Sequence, residues 1–454
     1  MRPVCGKMKV VSIWQNGQTK GGDSSVKKRT FCHILLPAAA LILALGTGIS
    51  VEASPVIMPD GYLFDPEYYA ENNPDVVAAF GEDPTALYQH FKKYGAEEGR
   101  LPWDPNADID ITAVPRYGRT PVQDAGTVYH TIAEKNAGEV TLTFAGDVNL
   151  EPTYCGWAAA KNGLAGCFDA GVLNDMRDSD FFVFNNEFTY TRAARANSKT
   201  YTFKADPAFT RQLSDIGTDL VTLANNHTYD YLEQGLLDTL DNLKAAGIPY
   251  IGAGRNLSEA EAPYYAKAGS TTLAIISTTR IEGYQNPPTR GATKTSAGVF
   301  RCLDPTELLR VVREAKTKAD LVIVYVHWGT EKRATPDANQ LALAKQLEEA
   351  GCDAVIGDHS HCLETLGYVN DMPVVYSLGN YLFSHNTRST CLYRLTLNTD
   401  EAEIKSAQFL PVTTSNGTYL RTPDAKTKAS MLSYMRSISP QAAIDSSGFV
   451  TKKQ

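Results

Sequence analysis

The stretch LVIVYVHWGTEKRATPDANQLALAKQLEEAGCDAVIGDHSH, residues Leu321 to His361, decides the fold. It opens on a short apolar run rich in β-branched residues, the pattern of a strand buried on both faces. A polar turn follows, then apolar residues at helical spacing from Ala338 to Ala350 and a terminating Gly351, then a second apolar run, Ala354 to Ile356. Strand, helix and strand in that order form a βαβ unit, which predicts parallel strands and an α/β domain. Each strand runs directly into residues able to bind a ligand: His327-Trp328-Gly329-Thr330-Glu331 after the first, Gly357-Asp358-His359-Ser360-His361 after the second. Open α/β sheets place their sites at these C-terminal strand ends.

Working outward, the same alternation extends upstream to Val140. Buried strands are predicted at Val140 to Ala145, Phe181 to Asn185, Leu220 to Leu223, Tyr250 to Ala253, Thr272 to Ser277 and Val374 to Ser377. Helices are expected at Leu236 to Ala246 and Pro305 to Lys318 as well as Ala338 to Ala350. Leu392 to Leu397 and Glu403 to Leu410 alternate with period two, which predicts antiparallel strands closing a sheet. The domain is drawn as 140–412, with 413–454 as a peripheral segment. Before it, 103–139 reads as a linker. Residues 61–102 read as a small module of three short helices, punctuated by Asn-Pro, Gly and Asp-Pro, whose aromatic residues form its core.

Three more of the predicted strands end on ligand-type residues: Asp147 and Asn149 after the first, Asn185 and Glu187 after the second, Asn225, Asn226 and His227 after the third. A lone strand-end Asp commonly caps the next helix, and a lone His-x-His is as often structural as not. Five strand ends carrying Asp, Glu, Asn and His together point instead to one mixed oxygen and imidazole site, the donor set of borderline divalent metals.

The net charge is −8, and it is unevenly placed. Met1 to Arg29 holds seven basic residues and one acidic, so the chain beyond Ala53 is acidic, with 36 basic against 49 acidic residues. An acidic body lacks the basic footprint that nucleic-acid phosphates require. The apolar run Phe31 to Val51 follows Lys27-Lys28-Arg29 and precedes Val51-Glu52-Ala53, small residues of the kind a signal peptidase accepts. Residues 1–53 therefore read as a signal peptide or a signal anchor, since the 21-residue run is near the ~20 needed to span a bilayer. Either way the protein is expected to be extracytoplasmic, membrane-anchored or secreted. Six cysteines remain beyond the leader, and Cys155 and Cys167 form either a disulfide or a pair of buried thiols.

The segments TFAGDVNL (Thr143 to Leu150), FNNEFT (Phe184 to Thr189), LANNHTYDYLEQGLLDTL (Leu223 to Leu240), GIPYIGAGRNLSEAEAP (Gly247 to Pro263), Val326 to His361 and YSLGNYLF (Tyr376 to Phe383) resemble the CapA family of poly-γ-glutamate capsule synthesis proteins. The resemblance implies a four-layer α/β/β/α metallophosphoesterase-like sandwich. It also implies a site for one or two divalent ions, Mn, Fe or Zn. Carried over residue by residue, Asp147 and His361 serve one ion. Asn226, His327 and His359 serve a second, and Glu187 bridges. His227 stands as the uncoordinated catalytic imidazole, with Asp147 beside it in the chemistry. Asn149, Asn185, Asn225, Asp230, Glu331 and Asn380 are expected to support the site or touch substrate, Glu331 by orienting an imidazole. Three departures stand out. Asn149 replaces the first ion's expected His, Leu232 a usual Gly, and Ser360 a usual Pro.

Two functional readings follow. In one the protein is a metal-dependent hydrolase acting on an anionic polymer or a phosphoester. In the other it holds the polymer without cleaving it, with membrane capsule-synthesis proteins as partners. An extracellular nucleotidase is a third reading, but Trp157, Trp328 and Tyr381 read as packing residues rather than a base clamp. Fold alone does not choose among these.

Overall fold

Leu321–His327 forms a strand with every residue buried, and Ala354–Asp358 pairs with it in parallel, joined through the helix Ala338–Glu349. The helix starts where it does because Asp337 accepts hydrogen bonds from the Asn339 and Gln340 amides, while the Gln340 side chain returns to the Asp337 amide. This reciprocal cap satisfies donors that the first turn leaves unpaired. The structure, a computed structural model, describes residues 56–57, 63–95, 100, 127–281 and 290–453.

Two sheets face each other. One has seven strands in the order Leu366–Val369, Met372–Val375, Ala354–Asp358, Leu321–His327, Thr271–Thr279, Tyr264–Ala268, Tyr129–Ile132. The other, of nine strands, has at its centre Glu403–Ser415, Ser389–Asn398, Glu139–Val148, Phe181–Asn186 and Leu220–Thr222. Between them lies one apolar layer, with Leu142, Phe144 and Val183 from the nine-stranded sheet meeting Ile275, Ile323 and Tyr325 from the seven-stranded one. On the far face of the first sheet, Val322 and Val324 pack against Val312 of the helix Thr306–Lys318 and Leu343 of Ala338–Glu349. On the far face of the second, Phe182 and Phe184 pack with Leu236 and Leu240 of Leu232–Ala245. The result is the four-layer α/β/β/α sandwich.

The strands predicted from the sequence form, with three differences. Tyr250 to Ala253 is broken at Gly252, whose φ of +86° ends the strand, so that Tyr250–Ile251 stays in the sheet and Ala253–Gly254 pairs elsewhere with Gly298–Val299. The stretch read as a linker ends in a strand, Tyr129–Ile132, on the edge of the seven-stranded sheet. The segment read as peripheral is built into the sandwich: Phe449–Lys452 pairs with Glu403–Ser415, and Leu432 and Met435 of the helix Ala425–Ile438 enter the layer between the sheets.

In the N-terminal module, helices span Pro66–Asn72, Pro74–Phe80 and Pro84–His90, each beginning on a proline. Proline suits that first position, where its missing N–H costs nothing. Phe64, Tyr69, Tyr88 and Phe91 form the module's own core. The leader, residues 1–53, lies outside the described residues. Among the described residues no helix is long and apolar enough to cross a membrane.

Candidate metal centre

Asp147 sits at the end of the central strand Glu139–Val148, just past a register irregularity in its pairing with Phe181–Asn186. Gly146 makes this possible, since a Cβ there would lie 1.9 Å from the Gly379 carbonyl oxygen, which accepts the Asp147 amide at 2.9 Å. The same close approach brings Asn380 alongside Asp147. Asn185 Nδ2 donates to Asp147 Oδ1 at 2.9 Å, and the His359 amide donates to Oδ2 at 3.3 Å. His361 Nδ1 lies 3.6 Å from Oδ2. Burial would raise the Asp147 carboxyl, but His361 and His327 hold it well below the ordinary carboxylate range.

Glu187 follows the strand Phe181–Asn186 and is fully buried, yet neither of its carboxylate oxygens has a hydrogen-bond partner. Its Oε1 lies 3.5 Å from His327 Nε2 and 3.9 Å from His227 Nε2. Burial, reinforced by Asp147 and Asp358, pushes its carboxyl well up. Ionising such a carboxyl without partners would cost several kcal/mol, roughly the uncompensated penalty of an unpaired ion. That penalty disappears when a cation occupies the site.

His327 Nε2 has Asn226 Oδ1 at 2.7 Å and His359 Nδ1 at 3.0 Å as well as Glu187 at 3.5 Å. Atoms that carry lone pairs thus surround one point. Burial holds both imidazoles neutral, His327 well below its ordinary value and His359 down to about 3. Neutral imidazole is the ligating form. His359 and His361 both adopt positive φ, +85° and +57°. Such conformations cost about 1–3 kcal/mol in a residue with a side chain and gather at functional sites. Ser360, between them, is held by Lys332, whose amide donates to the Ser360 carbonyl at 2.7 Å.

The donor groups fall into overlapping sets whose atoms lie within 4.8 Å of one another: Glu187, His327 and His359; Asp147, Glu187 and His361; and Asp147, His327 and Asp358. These buried groups could hold a metal ion. Glu187 belongs to both of the first two sets, which together contain every metal residue expected from the sequence except Asn226, itself in contact with His327.

His227 borders an open cleft of about 870 Å³ together with His361 and Asn380. Its Nδ1 lies 2.7 Å from Asp230 Oδ2, its ring stacks on Phe203 at 4.2 Å, and Nε2 is left facing the Glu187 side. Burial lowers its basicity against the opposing pull of Asp230. Lys199 Nζ pairs with Asp230 Oδ1 at 2.5 Å and donates to the Asn226 carbonyl at 2.6 Å. Asn225 shapes this loop by accepting the His227 amide at 2.9 Å and donating to Asn185 Oδ1 at 2.9 Å. Asn380 Oδ1 lies 2.8 Å from His361 Nδ1 and fixes that ring.

Some expectations change. Glu331 is exposed at the cleft and makes no hydrogen bond to an imidazole among the described residues; Asp358, Asp230 and Asn380 hold His327, His227 and His361 respectively. Asn149 is buried with Oδ1 committed to the Glu151 amide at 2.9 Å. Leu232 keeps the positive φ, +58°, that a glycine would adopt freely. Cys155 and Cys167 are separate buried thiols, each directed to a backbone carbonyl, Gly417 and Gly163, rather than to the other. Trp328 and Tyr381 are buried, the indole donating to the Tyr376 carbonyl at 2.8 Å, whereas Trp157 is half exposed. Lys199 has no place in the sequence reading, and Asp358 appears there only as part of a strand end, with no role. Lys199 lies in a polar stretch without periodicity, and Asp358 is masked by the histidine that follows it.

Residues 141–385 match the family described as bacterial capsule synthesis protein PGA_cap. The chain is 32% identical over 256 residues to the PGA biosynthesis protein CapA of Bacillus subtilis (strain 168), covering 55% of this chain and 65% of that protein. It is 30% identical over 225 residues to the capsule biosynthesis protein CapA of Bacillus anthracis, covering 47% and 53%. The chain thus spans less than two thirds of the length of these curated relatives. Among solved structures, a hypothetical protein from Thermus thermophilus aligns at TM-score 0.39 and 19% identity, covering 61% of this chain and 100% of that one. A novel phosphatase of Mycoplasma pneumoniae aligns at 0.38 and 14%, covering 61% and 94%. With the match running through both sheets and every histidine of the site, this chain belongs to the PGA_cap family of bacterial capsule synthesis proteins.

Proposed function

We propose that this protein acts outside the cytoplasmic membrane in the synthesis or processing of a poly-γ-glutamate capsule polymer, as a hydrolase dependent on one or two divalent ions, Mn, Fe or Zn. The observation that carries this reading is Glu187, a buried carboxylate without hydrogen-bond partners set between His327 and Asp147. An extracytoplasmic place rests on the basic flank and apolar run of residues 1–53, and partners among membrane capsule-synthesis proteins would follow from it.

A bound divalent ion supplies Lewis acidity, polarising a carbonyl or phosphoryl oxygen and acidifying water to near neutrality. The chain's own residues supply the rest. His327 and His359 are neutral and so present lone pairs without first losing protons. His361 is steadied by Asn380 at the floor of the cleft, where an anionic group of the substrate would rest. His227 is held by Asp230 through Nδ1, which leaves Nε2 to give or take a proton at the substrate.

The test is His227→Gln in the full chain, assayed on γ-linked glutamate and on phosphoesters. Retained metal with most turnover lost supports a hydrolase. Metal-loaded wild type that cleaves neither substrate class refutes the hydrolytic reading and leaves polymer holding as the better account.

A further inference from the structure

The residue expected to complete the Asp147 ion site is missing. Asn149 stands there, and its Oδ1 accepts the Glu151 amide, so its oxygen is turned to the backbone. The site has a carboxylate to spare. Asp358, the last residue of the strand Ala354–Asp358, is fully buried and shares with Asp147 and His327 a cluster of donor atoms within 4.8 Å of one another. Its Oδ1 lies 2.8 Å from His327 Nδ1. Its Oδ2 is buried and makes no hydrogen bond of ordinary geometry, while the carboxyl as a whole lies against Asp147 and the Tyr325 hydroxyl. One oxygen of this carboxylate orients an imidazole, then, and the other is buried on the Asp147 side without a well-formed hydrogen bond.

Two explanations are available for Asp358. If it served only to orient His327, the poorly satisfied second oxygen would be a cost with no return, larger still once the carboxyl is charged. An amide would orient the ring as well and carry no charge into a place already holding Asp147 and Glu187. A cation beside Asp147 removes the cost and uses the charge. Resting on the metal reading above, we propose that Asp358 is itself a metal ligand, supplying through Oδ2 the donor that Asn149 does not. Carboxylate in place of imidazole hardens the donor set, so the ion beside Asp147 should be an oxygen-preferring one, Mn²⁺ in preference to Zn²⁺.

The experiment uses the full chain, stripped with chelator and reloaded with Mn²⁺, with ions per chain counted by atomic emission and coupling read by electron paramagnetic resonance. Asp358→Asn keeps an oxygen acceptor for His327 Nδ1 but loses the charged ligand. Wild type should bind two ions with a spin-coupled signal, and Asp358→Asn should bind one with an uncoupled signal. Two ions retained in Asp358→Asn overturns the proposal and makes Asp358 a positioning residue only. A single ion in wild type also overturns it, while no ion in wild type defeats the metal reading as a whole. Folding of the variant is read separately by melting in chelator. The isosteric amide should leave metal-free Asp358→Asn about as stable as metal-free wild type, and a clear drop in its melting temperature would mean that the carboxyl already has partners it needs without metal. Asn149→His added to Asp358→Asn should restore the second ion and favour Zn²⁺; failure to restore it would place the lost ion somewhere other than beside Asp147.

Discussion

Removing metal and raising pH should unsettle this protein in a way that loading with metal prevents. In the metal-free chain, burial pushes the Glu187 and Asp358 carboxyls well up, with Asp147 adding to both. Above the ordinary range of ~4 the unfolded chain has released these protons and the native state still holds them. Stability then falls as pH rises. His361 adds to the same trend above ~6.5, because its folded value is raised: against the lowering effect of burial, Asp147 stabilises its charged form. The depressed imidazoles, His227, His327 and His359, act in the opposite sense, since the native state holds them neutral where the unfolded chain protonates them. Their contribution rises with pH but is complete by ~6.5, the unfolded value. In the window above pH ~6.5, therefore, those of the site's groups that still titrate all pull the same way.

Each group contributes at most about 1.4 kcal/mol per pH unit, so a combined slope of roughly 1–3 kcal/mol per unit is expected. At about 2 °C per kcal/mol for a chain of this size, the melting temperature should fall by roughly 2–6 °C per pH unit. Glu364, raised by burial to about 7, titrates in part of the same window, but it does so whether or not metal is bound. The comparison between metal-free and Mn²⁺-loaded protein isolates the site. Metal keeps the carboxylates ionised and paired, so the loaded protein should show a nearly flat difference from any such background, and should gain about 2.7 kcal/mol at a hundredfold excess over its dissociation constant. Scanning calorimetry across the window measures both curves. Parallel curves, or a metal-free melting temperature that holds or rises with pH, would refute the assigned protonation states.

Three further outcomes are expected. Asp230→Asn should lower turnover by roughly 10-fold or more while leaving bound metal unchanged, since Asp230 fixes the His227 ring and proton transfer by a positioned group contributes ~10²- to 10⁴-fold; steady-state kinetics with parallel metal analysis reads both. Leu232→Gly should leave stability unchanged or raise it by up to about 1 kcal/mol in denaturant melts, because relief of the +58° φ offsets the glycine's greater freedom in the unfolded chain. Gly146→Ala should destabilise by more than about 3 kcal/mol, since its Cβ would meet the Gly379 oxygen at 1.9 Å and displace Asp147 with it.

Much of this site was legible because parallel strands end on one edge. Asp147, Glu187, Asn226, His327 and His359 each follow a short apolar run, and the rule that such sheets gather their sites at those ends brought them together without knowledge of the packing. What the sequence concealed was direction. Glu331 follows the His327 strand in the same manner, but it is exposed at the cleft, near enough to His361 to act on its charge without a hydrogen bond, and the task of holding the imidazoles falls to Asp358 and Asn380. Asp358 falls among the ligand-type residues after Ile356 in the sequence but gains a role only when the pairing with Leu321–His327 sets it opposite His327. Lys199 reaches Asp230 from a loop without periodicity, a contact only the folded chain reveals. The edge strand Tyr129–Ile132 and the strand Phe449–Lys452, one in from the edge of the other sheet, are too short and too polar to stand out from a coil. Their pairing depends on the neighbouring strand rather than on their own pattern.

The central claim is that Glu187, His327 and His359 together hold a metal ion, and metal content measures it most directly. Purified wild type, His359→Ala, Glu187→Gln and Asn149→Ala should be stripped, reloaded with Mn²⁺ or Zn²⁺, desalted and analysed for ions per chain. Wild type and Asn149→Ala should retain metal, and His359→Ala and Glu187→Gln should lose most of it. Equal metal content in wild type and His359→Ala, with both proteins folded, would contradict the account and make these residues structural.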